Sequence, residues 1–119
     1  MALIAPDGAT TVANAGNPAP YWNGQEMAVD PGLPLGLVPD ASYTETHCQL
    51  APSDRLTFVS DGVLEATNAQ GELYGFDRTQ AISNQPANAI AEAATQFGQE
   101  DDITVLSVTR NVNLNPAMA

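Results

Sequence analysis

Arg55-Leu56-Thr57-Phe58-Val59-Ser60-Asp61-Gly62 is the stretch on which the reading of this chain turns. Its first six residues, rich in β-branched and aromatic side chains, predict a short, buried strand. That strand runs straight into Asp61-Gly62, where a glycine lets the backbone turn sharply and approach a ligand closely. Further along, Asp101-Asp102 stands directly before Ile103-Thr104-Val105-Leu106-Ser107-Val108. This run is β-rich and nearly continuous in apolar character, which predicts a central strand. If the two strands are antiparallel neighbours, the end of one and the start of the other lie at the same edge of the sheet. Asp61 and Asp101 then meet, although they are far apart in sequence.

The rest of the chain reads outward from these two strands. Ala2 to Ala5 is an apolar strand ending in the turn Pro6-Asp7-Gly8, and Thr10 to Asn14 is a second strand. Ala15-Gly16-Asn17-Pro18 reads as a kinked loop. Pro20-Tyr21-Trp22, Asn23-Gly24 and Gln25 to Val29 carry the clearest hairpin signal, because Asn-Gly tolerates the positive φ angles of a type I′ turn. The turn-rich segment from Asp30 to Leu37 predicts an ordered loop, and Tyr43 to Leu50 a partly exposed strand. After a loop around Asn68-Ala69-Gln70-Gly71 the period changes, and Phe76 to Ser83 predicts a short helix. Pro86 to Phe97 predicts a longer one, with Pro86 at its first position and Gly98 as its stop. Ala87, Ile90, Ala91, Ala94 and Phe97 fall three and four apart and form its packing face. Asn111 to Ala119 reads as a loose tail. The fold class is α+β: largely antiparallel β-sheet layers with two helices packed on one face.

Composition bounds the function. The 119 residues suit one domain with a single core, and 44% hydrophobic against 14% charged residues is a globular balance. Fourteen acidic residues face three cations, Arg55, Arg78 and Arg110, with no lysine, for a net charge of -11. Such a charge repels phosphate backbones and anionic headgroups, so nucleic acid and membrane surfaces are excluded as partners. Cys48 is alone, which rules out an intrachain disulfide and points to a reducing compartment. It reads as a small, half-buried strand residue rather than a nucleophile. The first residues lack a basic region and a long apolar core, which argues against a signal peptide, and no apolar run approaches the ~20 residues of a bilayer span. A soluble, cytoplasmic protein is expected.

Carboxylates brought together repel one another, by about 4 kcal/mol per pair at ~4 Å and an effective dielectric of ~20. A cation removes that cost. An all-oxygen ligand set favours Mg²⁺ or Mn²⁺ over zinc, since no Cys or His is placed to help. Turn and capping roles are the commoner use of Asp at such positions, so spacing alone leaves both readings open.

Several stretches occur together in one order: Asn14-Ala15-Gly16, Leu33-Pro34-Leu35-Gly36-Leu37, Asp54-Arg55-Leu56 leading to Ser60-Asp61-Gly62-Val63-Leu64-Glu65-Ala66, Gly71-Glu72-Leu73-Tyr74-Gly75, and Asp101-Asp102-Ile103-Thr104-Val105-Leu106. In that order they resemble the stage II sporulation protein E-type branch of the PPM phosphatases, from about Thr10 to Arg110. The resemblance implies part of a PPM-type β-sandwich. It implies that Asp61 and Asp101 are ligands of a two-metal Mn²⁺ or Mg²⁺ centre that activates a water for in-line attack on phosphoserine or phosphothreonine. Gly62 and Asp102 then stand behind those ligands, Asp102 either bracing a ligand or capping a backbone group.

Two departures from the family pattern stand beside these matches. The family's Gly-Asp-x-x-Gly-His-Gly-like segment, whose Asp bridges both metals, is absent, and Asp7-Gly8 falls in a hairpin turn where it cannot substitute. Asn17 stands where the family has a His after Asn-Ala-Gly; it keeps a hydrogen bond but carries no proton, so its expected role is structural. The resemblance therefore implies the C-terminal half of a phosphatase domain over 1–110, with a tail over 111–119, inactive by itself. Its substrate in a longer chain is expected to be a phosphorylated signalling protein, of the kind that antagonises anti-sigma factors. Exposed sheet edges and an uncovered core face lead us to expect a homodimer. A non-catalytic binding or assembly module on the same fold, and an unrelated acidic β-rich domain, are the competing readings.

Overall fold

The computed structural model describes residues 2–14, 17–29, 44–99 and 102–111. The Leu33 to Leu37 loop, Ala15-Gly16, Asp101 and nearly all of the expected tail lie outside the described residues. Strands β1 (Ala2–Ile4), β2 (Ala9–Ala13) and β5 (Glu45–Gln49) form an antiparallel sheet in the order β1-β2-β5. Strands β3 (Tyr21–Trp22), β4 (Gln25–Glu26), β6 (Arg55–Val59) and β7 (Val105–Thr109) form a second, ordered β4-β3-β6-β7 and antiparallel throughout. Helices α1 (Asp61–Leu64), α2 (Gly75–Ile82) and α3 (Ala87–Phe97) complete the described elements. No helix among the described residues is long and apolar enough to cross a membrane.

The hairpin forms where expected. Asn23 and Gly24 take φ of 51° and 83°, the left-handed pair that a two-residue turn between twisted strands requires. The Pro6-Asp7-Gly8 turn joins β1 to β2, and the Asp7 carboxylate accepts the Ala9 N–H at 3.0 Å. Asp7 is thus occupied in closing its own turn.

Strand β6 is buried on both faces because two cores share it. Leu56 and Phe58 face the three-stranded sheet and pack with Val12, Met27 and Leu50. Val59 faces the helices and packs with Val63, Ala66, Ile90 and Ala94. Thr57, on that second face, donates its hydroxyl to Ser83 O at 2.9 Å and ties the strand to the end of α2. Fully burying one of these aliphatic side chains is worth about 1.5–3 kcal/mol. The expected α3 stripe is realised, with Ile90 and Ala94 fully buried. Phe97 meets Tyr74 edge-on at 5.1 Å and carries the Arg78 guanidinium 4.7 Å above its ring. Both helices expected from the sequence lie on this one face.

Two expectations change. Ile103 to Val108 was expected to be a central strand, but β7 ends the sheet and pairs with β6 alone among the described residues. Its apolar run covers two different surroundings: Ile103 and Val105 pack toward the helices, whereas Leu106 on the other face is 56% exposed. The additional helix, α1, is a single turn, too short to show a period in the sequence.

Asp54 anchors the start of β6. Its carboxylate accepts from Asn23 Nδ2 at 2.9 Å, Ala51 N at 2.8 Å and Trp22 Nε1 at 3.2 Å, and the Asn23 side-chain Oδ1 accepts the Arg55 N–H at 2.8 Å. The Asn23 amide first, then the Ala51 N–H, hold this carboxyl below the ordinary carboxylate range. A depressed folded-state pKa contributes stability that is fully present above the unfolded value of about 3.9 and is lost as pH falls through the lower folded value. Asp54→Asn is therefore expected to be less stable than the parent at neutral pH, with the two urea midpoints converging below about pH 4. A gap that widens with acid would contradict this account.

Candidate metal centre

The geometry is set by strand register. Val59 of β6 stands opposite Val105 of β7. One residue further, the Ser60 N–H donates to Thr104 O at 2.9 Å and the Thr104 N–H donates to Ser60 Oγ at 2.9 Å. The end of β6 and the approach to β7 therefore share one sheet edge, the condition under which the two acidic stretches come together.

Helix α1 begins at once. Ser60 is its N-cap in extended conformation; its Oγ accepts the Thr104 N–H and makes no capping bond to the helix. Val63, in the helix-side core, and Leu64 are both buried, and this turns Asp61 outward. Asp61 is exposed. Among the described residues its carboxylate has no hydrogen bond and no ion pair, so the side chain neither caps the helix nor closes a turn.

Gly62 is needed here for space. A Cβ at this position would collide with the Asp102 backbone carbonyl, and Gln99 Nε2 donates to Gly62 O from the other side. Gly62 was expected to let the backbone approach a ligand; the close approach it makes here is to the segment that carries Asp102. Asp102 itself is exposed and contributes its carbonyl to this contact. Asp101 lies outside the described residues.

The oxygen chemistry of this corner suits a hard cation such as Mg²⁺ or Mn²⁺. In number the described residues fall short, for among them no three His, Cys, Asp or Glu side chains gather closely enough to hold a metal. The fit is one of kind and not of a complete ligand set.

Asn14 is a residue whose part the sequence reading missed. It is buried, donates Nδ2 to Asn17 O at 2.8 Å and accepts the Asn17 N–H on Oδ1 at 2.9 Å. With Ser60 and Thr104 it lines the polar end of a groove of about 400 Å³ between the sheets. The signal for it is the Asn14-Ala15-Gly16 stretch itself. The Asn17 backbone is what Asn14 holds, in keeping with a structural role there. Cys48 is half-buried on β5, and burial raises its thiol pKa, as suits an inert residue.

All three cations are engaged. Arg55 donates to Asn84 O at 2.6 Å, Arg110 to Leu50 O at 2.7 Å, and Arg78 to Leu73 O at 2.9 Å beside Glu72. Arg55 and Arg110 also sit at the far ends of β6 and β7 from Asp61.

A family model described as Stage II sporulation protein E matches residues 1–111. Among solved structures, the phosphatase domain of the cell fate determinant SpoIIE from Bacillus subtilis, presoaked with Mn, is similar at a TM-score of 0.70 and 22% identity, over 99% of this chain and 57% of that one. The SiaA-PP2C domain of Pseudomonas aeruginosa is similar at 0.64 and 23%, over 88% and 48%. The RsbU and RsbW domains of a Mycobacterium tuberculosis protein are similar at 0.61 and 21%, over 88% and 33%. At such identities the likeness is one of fold, and the chain spans less than two thirds of each of these relatives. No curated protein matches the sequence.

Crowding at Gly62 and exposure at Asp61 make opposite demands on substitution. Gly62→Ala is expected to cost about 1–3 kcal/mol in urea unfolding, because the Asp102 segment must move. Asp61→Ala, without added metal, should stay within about 0.5 kcal/mol of the parent. A tolerated Gly62→Ala would mean that the two segments are not held together.

Proposed function

The chain belongs to the Stage II sporulation protein E family, and on that premise we propose that it is a segment of a metal-dependent serine/threonine protein phosphatase whose ion-binding carboxylates are Asp61 and Asp101. The observation that carries the reading is the Asp61 carboxylate itself. It is exposed and without a partner among the described residues, at the corner where β6 ends beside the approach to β7. Asp101 precedes Asp102 directly in the chain, and the Asp102 carbonyl lies against Gly62. When bound, a pair of Mn²⁺ or Mg²⁺ ions supplies Lewis acidity, which sharpens a water as nucleophile and neutralises phosphoryl charge.

The chain's own residues do the positioning. Val63 and Leu64 fix α1, and through it the direction of Asp61; Gly62 permits the Asp102 segment to close in; Ser60 Oγ holds the Thr104 N–H and so the entry to β7. With every arginine engaged elsewhere and no lysine in the chain, it offers no free cationic side chain for a phosphate. Charge compensation then falls to the ions.

The chain corresponds to 57% of the Bacillus subtilis phosphatase domain, so we place the remaining ion ligands in the other part of such a domain. The substrate we propose is a phosphoserine or phosphothreonine of a bacterial signalling protein, in keeping with the family. The competing reading is a non-catalytic binding or assembly module on the same fold.

Hydrolysis of p-nitrophenyl phosphate with Mn²⁺ tests the reading. The 119 residues alone should show negligible turnover, and a chain extended to a whole phosphatase domain should be active. In that longer chain Asp61→Asn should lower kcat at least about 100-fold, more than loss of a group that only supports a ligand. Full activity of Asp61→Asn, or an extended chain without turnover, would leave the module reading in its place.

A further inference from the structure

Asn23-Gly24 closes the β3–β4 hairpin, and nowhere else in the sequence does glycine follow asparagine. That pair is chemically labile. A glycine nitrogen has no side chain beside it to bar its approach to the preceding carboxamide, and the backbone around it bends freely. Asn23 is also exposed. In the fold its carboxamide is nevertheless held at both ends. Nδ2 donates to Asp54 Oδ1 at 2.9 Å, and Oδ1 accepts the Arg55 N–H at 2.8 Å. The Asn23 backbone N–H donates to Arg55 O at 2.9 Å, and both turn residues keep the positive φ of a tight hairpin. The amide is thereby committed to the start of β6 and away from its own peptide bond to Gly24.

We propose that Asn23 is a deamidation site, kept intact by its bonds to Asp54 and Arg55. When the turn opens, the Gly24 backbone nitrogen gives up its proton and attacks Asn23 Cγ. The new N–Cγ bond closes a cyclic succinimide, and the Cγ–Nδ2 bond breaks, with Nδ2 leaving as ammonia. Water then adds to either ring carbonyl and reopens the ring, which leaves aspartate or isoaspartate at position 23. A water is consumed and an ammonia released, and nothing is oxidised or reduced. The product does not rebuild the anchor. A carboxylate at position 23 still accepts from the Arg55 N–H, but it has no hydrogen to offer Asp54 and sets a like charge against it. The Asn23 amide is foremost among the groups that hold the Asp54 carboxyl low, so the exchange reverses its local field. An isoaspartate also lengthens the backbone of a turn that has only two residues between its strands. The change therefore runs one way, from an anchored hairpin to a loosened one.

The test is incubation of the 119-residue chain in mildly alkaline buffer, with peptide mass spectrometry to locate each amide-to-acid conversion and circular dichroism to show that each variant is folded. In urea, Asn23 should convert ahead of every other asparagine. In the folded parent its conversion should be at least about tenfold slower, because the turn must open before the ring can close. That comparison needs no variant. Asp54→Ala should raise the folded-state rate about tenfold, as loss of a hydrogen bond to a charged group implies. Ile90→Val, which loosens the core under α3 and leaves the turn alone, should raise it far less. Asn23→Asp, which reproduces the product, should unfold at lower urea than the parent. Equal rates in the folded and unfolded parent, another asparagine converting first in urea, or Asp54→Ala no faster than Ile90→Val would overturn the proposal. An Asn23→Asp chain as stable as the parent would overturn the loss of the anchor.

Discussion

Two hydrogen bonds between Ser60 and Thr104 fix where β6 stops and where β7 starts. The Ser60 hydroxyl serves Thr104 and makes no capping bond to α1, whose Val63 and Leu64 are buried. That burial leaves Asp61 in solvent on the rim of the sheet. Glycine at position 62 then lets the Asp102 carbonyl pack against the turn. Strand pairing, helix start and acidic corner are thus one constraint.

The same economy governs charge. A chain with net charge -11 and three arginines must place its cations where they contribute most. Each donates to a backbone carbonyl: Arg55 at the end of α2, Arg110 at the end of β5, and Arg78 before α2 while it also covers the Phe97 ring. Hydrogen bonds from a charged donor are worth about twice neutral ones. Among the described residues neither Asp61 nor Asp102 forms an ion pair with a basic side chain.

Much of this was legible in the sequence where one local rule dominated. Asn23-Gly24 announced its hairpin because few residue pairs accept two positive φ angles, and the α3 stripe announced itself by period. The pairing of β6 with β7 could be stated only as a condition, since nothing in either strand names its partner. What stayed hidden depended on tertiary context. Leu106 looks like a core residue because apolar character is the same on a covered and an uncovered face. Asp54 looked like one member of a motif, yet it joins the hairpin to β6 through donors more than thirty residues away in sequence. Asn14 escaped notice because its partners are backbone groups of Asn17. Helix α1 has a single turn, and no period can be read from one turn.

The account rests on one divalent ion being shared at the joined ends of β6 and β7. Paramagnetic broadening of backbone amide resonances during a Mn²⁺ titration tests this most directly, since the effect falls steeply with distance from the ion. The account predicts that Ser60 to Leu64 and Asp102 to Thr104 broaden first and together, while Arg55 and Arg110 at the opposite strand ends stay sharp. Broadening spread evenly over the acidic surface, or confined to only one of the two segments, would contradict it.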